Sequence, residues 1–111
     1  MSKFVFVYHA PTPPADAQPA DPAEMEKVMG EWMAWSGRVG DGMVDFGTPL
    51  AGGVQVTPEG TSPSTRDVVG YTILEAKDLD AALALAKDHP HLNMPGGCSI
   101  EVHEAQPVPG M

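Results

Sequence analysis

Apolar residues run without a break from Phe4 to Tyr8, and a β-branched and aromatic run with no polar face predicts a strand covered on both sides, hence a central one. The Pro/Ala stretch that follows, Ala10 to Ala20, can sustain neither helix nor ladder and predicts a loop lying over the domain. Asp21-Pro22-Ala23-Glu24 then combines an N-cap, a proline at the first helical position and a glutamate three residues past the cap. From there Met25, Val28, Met29, Trp32, Trp35 and Val39 recur at helical spacing, leaving Glu24, Lys27, Glu31 and Arg38 to face water. One amphipathic helix ending near Gly37 to Gly40 is expected, its apolar stripe forming core.

Beyond that helix, Met43 to Phe46 reads as a short strand between glycines, and Val54-Gln55-Val56 as a short edge strand or hairpin arm. Pro58 to Asp67 (PEGTSPSTRD) predicts a turn-rich loop, and Val68 to Ala76 a long strand in which Gly70 marks a bulge or a close approach. Asp78 caps a second helix with Leu79, Ala82, Leu83 and Ala86 on one stripe, closed by Pro90. Cys98 to Glu104 alternates, with Cys98, Ile100 and Val102 on one face and Ser99, Glu101 and His103 on the other. Gln106 to Met111 reads as a loose tail.

The order strand, helix, strand, strand, helix, strand predicts an α+β, ferredoxin-like βαββαβ fold in a single domain spanning 1–111. Right-handed crossovers put both helices on one face of an antiparallel sheet. A sheet apolar on both faces must then hide the other face, and a second copy of the chain is the simplest cover, which predicts a homodimer.

Charge and length narrow the functions. The 111 residues carry six Lys and Arg against fifteen Asp and Glu, a formal charge of -9 that repels phosphate backbones and anionic lipid. Nucleic acid and membrane are thus not expected partners. The N-terminal apolar run is too short for a membrane span and carries no signal-cleavage pattern, so a cytoplasmic protein is expected. Cys98 is the single cysteine, which excludes an intramolecular disulfide and reads as a small buried strand residue.

No nucleophile elbow, phosphate loop or nucleotide-binding turn is present; the pairs Gly52-Gly53 and Gly96-Gly97 read as turns, and no cofactor is expected. His89-Pro90-His91 offers two nitrogens without an acidic or cysteine ligand nearby, too little for a metal site. Topology brings one end of the sheet together from distant segments: Tyr8 and His9, Asp45, and the turn from His89 to Gly97. Asp45, His91 and His9 are the candidate catalytic residues, since a carboxylate within reach of an imidazole raises its basicity and fixes its tautomer. Tyr8, Trp32, Tyr71 and His89 are the candidate ligand-binding residues. The competing reading makes Asp45 and His91 ordinary turn residues, Asp45 bonding backbone amides ahead of Gly47. His103 reads as a solvated or dimer-rim residue.

Taken together, KFVFVYHA, EWMAWSGRVGDGMVDFGTPL, VVGYTILEAKDLDAALALAKDHPHL and the closing GGCSIEVHEAQPV resemble the YCII-related family, which includes the YciI-like and DGPF-type proteins. The resemblance implies a ferredoxin-like protomer pairing face to face into a dimeric α/β barrel. Members with the YciI-like pattern carry a first-helix histidine proposed to act with an aspartate; here Glu31 and Trp32 stand nearest, and Pro63 to Val69 (PSTRDVV) lacks the Asp-Gly-Pro-Phe signature. Two functions are therefore carried forward: a cofactor-independent lyase or isomerase using acid/base chemistry on a small organic molecule, and a non-catalytic ligand-binding or accessory protein of the same fold.

Overall fold

The computed structural model describes residues 1–11, 21–94 and 97–109; most of the expected Ala10 to Ala20 loop, Gly96, and the end of the expected tail lie outside the described residues. Strand β1 (Ser2–His9) leads to helix α1 (Pro22–Val39), then β2 (Met43–Asp45), a hairpin of β3 (Val54–Thr57) and β4 (Gly60–Pro63), the long β5 (Val68–Ala76), helix α2 (Leu79–Lys87), a 3-10 turn over Pro90–Asn93, and β6 (Ser99–Glu104). The main sheet has the order β2-β5-β1-β6 with every neighbouring pair antiparallel. The fold is α+β, compatible with a ferredoxin-like arrangement, and the two most apolar strands are the central ones.

Period-two alternation divides β1 between two faces. Phe4, Phe6 and Tyr8 are buried under the helices, while Val5 and Val7 on the reverse face are half-buried. On β5, Leu74 and Ala76 join the same core, which Trp35 of α1 and Ala82 and Ala86 of α2 complete. Both helix starts follow their local chemistry: Asp21 accepts from the Ala23 amide at 3.0 Å and Asp78 from the Ala81 amide at 2.9 Å. Gly70 sits at the bulge expected of it, where the pairing shifts register between Tyr8 opposite Gly70 and His9 opposite Val68.

Three expectations need correction. The apolar stripe of α1 is not core along its length: Met25 and Met29 are 59% and 56% exposed, and only Trp35 is fully buried. Residues four apart advance about 40° beyond a full turn, so the series Met25, Met29, Met33 precesses away from the Trp32, Trp35, Val39 seam that meets the sheet. Leu79, expected on the buried stripe of α2, is likewise exposed. The stretch Pro58 to Asp67 is not all loop, because Gly60–Pro63 pairs with Val54–Thr57 as the second arm of the hairpin. Its polar residues, exposed throughout, gave no alternation from which a strand could be inferred.

Candidate functional site

Tyr8 and His9 are neighbours on β1 whose side chains leave opposite faces of the sheet, and each anchors a group of polar side chains. Beneath the helices, the buried ring of His89 lies 4.2 Å from Trp35, 4.3 Å from Trp32 and 4.8 Å from Tyr8 between centroids. His91 packs against the same two rings, 5.2 Å from Tyr8 and 6.2 Å from Trp32. The His89-Pro90-His91 sequence makes this possible: Pro90 starts the 3-10 turn, and His89 caps it by accepting the His91 amide proton on Nδ1 at 2.9 Å.

That amide bond determines the direction of an entire hydrogen-bond chain. With Nδ1 accepting, the ring proton of neutral His89 must sit on Nε2, which donates to the Tyr8 hydroxyl at 3.0 Å. Tyr8 in turn donates to Thr72 Oγ1 at 2.7 Å, and Thr72 donates to the Phe46 carbonyl at 2.8 Å. Burial drives His89 down to about 3, with His91 and Arg38 pushing the same way, so the ring is neutral as the chain requires. Burial pushes the Tyr8 phenol up to about 12 against a smaller opposite pull from Thr72, which keeps it a donor. Trp35 Nε1 donates to the Leu85 carbonyl at 2.9 Å, and among the described residues no buried side-chain nitrogen or oxygen lacks a partner.

His91 is oriented but not saturated. Its Nε2 donates to the His9 carbonyl at 3.0 Å, an acceptor that admits only a donor, so in the neutral ring Nδ1 carries the lone pair. Among the described residues Nδ1 of His91 has no hydrogen-bond partner, although the residue is only 3% exposed.

Across the sheet, His9 has both ring nitrogens facing acceptors: the Arg66 carbonyl at 2.6 Å from Nδ1 and Glu101 Oε1 at 2.9 Å from Nε2. The Arg66 carbonyl, then Glu101 and Asp67, raise its proton affinity, while the hydrogen bond from His9 holds Glu101 low. His103 lies 3.6 Å from the same Glu101 oxygen.

Tyr8, Trp32, His89 and His91 thus meet in one cluster, with His9 joined to it through its carbonyl. Asp45 is the correction: it does not pair with His91 or His9. It lies on β2, with β5 between it and β1; its Oδ1 accepts the Gly47 amide at 2.9 Å and its Oδ2 accepts the Tyr71 hydroxyl at 3.0 Å. A Cβ on Gly47 (φ 87°) would fall 1.7 Å from the Tyr71 carbonyl, so glycine is required where this turn crosses β5. The hydrogen bond to Asp45 raises the pKa of the half-buried Tyr71, which stands with Asp45 apart from the imidazoles. The carboxylate that does reach His9 is Glu101, whose place opposite Val7 follows from strand register. Thr72 was also missed, although a threonine between Tyr71 and Ile73 in a β-rich run is a detectable signal of a polar group on an inward face.

Among the described residues no helix is long and apolar enough to cross a membrane, and no group of three or more His, Cys, Asp and Glu side chains converges on a metal-sized site. No protein-family model matches the chain. No curated protein matches it either.

Proposed function

We propose that the chain forms a homodimer that acts on a small organic molecule by cofactor-independent acid/base chemistry, as a lyase or isomerase of the YCII-related kind, with His91 as the proton acceptor. The observation that carries this is the state of His91: Nε2 is tied to the His9 carbonyl, its backbone is held by His89, and Nδ1 has no hydrogen-bond partner among the described residues. An imidazole whose tautomer is set by one nitrogen and whose other nitrogen is open has the form of a general base. His9 and His89 lack that freedom, because both nitrogens of each are engaged.

The homodimer draws support from surface and shape. The chain exposes 7927 Å², whereas a compact monomer of this mass exposes about 5,900 Å². A radius of gyration of 15.8 Å and extents of 47 × 43 × 19 Å describe a flat protomer where about 13 Å is usual. Val5, Val7 and Ile73 share the helix-free face of the sheet and provide its apolar centre.

The test is proton exchange. Small carbon acids incubated with the protein in D₂O, followed by NMR, are expected to exchange their activated proton, and His91→Gln is expected to lower the rate by about 10²–10⁴-fold. Absence of exchange throughout, or an unchanged rate in the variant, would reject the catalytic role. Light scattering should give twice 11.7 kDa; a monomer at micromolar concentration rejects the dimer. The second reading, a non-catalytic ligand-binding protein, is favoured by the use of His9 and His89 as struts, and it expects binding without exchange.

A further inference from the structure

A cleft of about 340 Å³ opens where the end of β1, the loop between β4 and β5, and the start of β6 meet, and its walls include His9, Arg66, Asp67, Gly97, Ser99 and Glu101. Its chemistry follows from what those groups are already doing. A carbonyl and a carboxylate oxygen offer only lone pairs, so His9 satisfies both by holding two protons, and the imidazolium and Glu101 cancel one another as an ion pair. The remaining charges are the Arg66 guanidinium, which makes no ion pair among the described residues, and the Asp67 carboxylate beside it. Asp67 is the one non-glycine residue with positive φ (55°) among the described residues, and its carbonyl accepts the Ala10 amide at 3.0 Å, which ties this loop to the end of β1. The clamped imidazolium and this bond join the same two segments, the end of β1 and the loop that carries Arg66 and Asp67.

We propose that this cleft binds a small carboxylic acid carrying an adjacent amine or hydroxyl group. Arg66 pairs with the carboxylate through its planar fork of donors. Asp67 and the second oxygen of Glu101 accept from the neighbouring amine or hydroxyl, and the Asp67 charge disfavours a phosphate dianion on a chain that is already at -9. The volume is at the low end of ligand sites, which suits a molecule of a few heavy atoms. This binding site goes beyond the acid/base role of His91 and requires no proton transfer, so its test reads binding alone.

Titration calorimetry and ligand-observed NMR on the full chain with L-serine, L-lactate, acetate and inorganic phosphate separate the outcomes. L-serine or L-lactate is expected to bind at least tenfold more tightly than acetate or phosphate. Arg66→Gln should weaken that ligand at least tenfold with little change in Tm, because the side chain replaced makes no ion pair or hydrogen bond among the described residues. Asp67→Asn, which tolerates the left-handed backbone, should shrink the preference over acetate. Equal binding of acetate or phosphate, no binding at millimolar concentration, or an affinity unchanged by Arg66→Gln would overturn the assignment.

Discussion

Tyr8 and His9 are consecutive, yet the regions they anchor solve opposite problems with the same side chain. Under the helices, the nearly water-free ring of His89 is neutral and bonded once as acceptor and once as donor. On the open face, the ring of His9 meets two acceptors, which favour its protonated form. The difference teaches that burial and partner type, rather than residue identity, set an imidazole's charge: desolvation penalises the ion in one place, and two lone-pair partners stabilise it in the other. It also predicts that substitutions in the buried region act mainly on stability, and those at the open face mainly on titration.

The largest expected effect tests the buried side. Trp35→Ala removes a fully buried ring packed on Phe6 and His89 and should cost about 3–5 kcal/mol in denaturant unfolding. A loss comparable to that of an exposed substitution would show that the cluster is not the core. Tyr8→Phe comes next, since it keeps the ring but strands the His89 Nε2 proton without an acceptor; about 1–3 kcal/mol is expected by urea titration, and a neutral effect would break the hydrogen-bond chain.

Thermal unfolding against pH then sets the two histidines against each other. His89 is held near 3 in the fold against an ordinary 6.5, so between those values the unfolded chain binds more protons and stability falls as pH drops through that window. His9 is raised above 6.5, so its contribution is fully present below 6.5 and is lost as pH rises through the raised value. His89→Gln should flatten the acid side of the profile and His9→Gln the alkaline side; slopes of the same sign for both would refute the contrast. The smallest effect belongs to Glu101→Gln, which keeps an oxygen acceptor but removes the charge. By NMR titration it should lower the His9 midpoint with little change in unfolding temperature, and an unmoved midpoint would show that the Arg66 carbonyl acts alone.

Much of the fold was legible in the residues. The central strands, both N-caps, the bulge at Gly70 and the alternation of β6 follow from local rules that need no partner in space. The hairpin arm Gly60–Pro63 escaped because an all-polar strand has no hydrophobic period, and the exposed methionines of α1 misled because periodicity describes a face without saying what covers it. For the site, the meeting of Tyr8 and His9 with the His89 to His91 turn was recoverable from topology, while the partner of the carboxylate was not.

By itself, then, the sequence determined the kind and order of most elements, the acidic charge, the lack of any disulfide within the chain, and which end of the sheet would collect imidazoles. These depend on backbone preference, side-chain period and composition. Only the tertiary structure decided that His9 meets Glu101 while Asp45 turns to Tyr71, that burial disfavours the charged form of His89 while the partners of His9 favour it, and that His91 Nε2 is tied to the His9 carbonyl. The reason is that strand register, with Glu101 opposite Val7 and Asp45 opposite Ile73, places each carboxylate to within an ångström. A hydrogen bond depends on that last ångström, whereas hydrophobic patterning is satisfied by any register that keeps the same face inward.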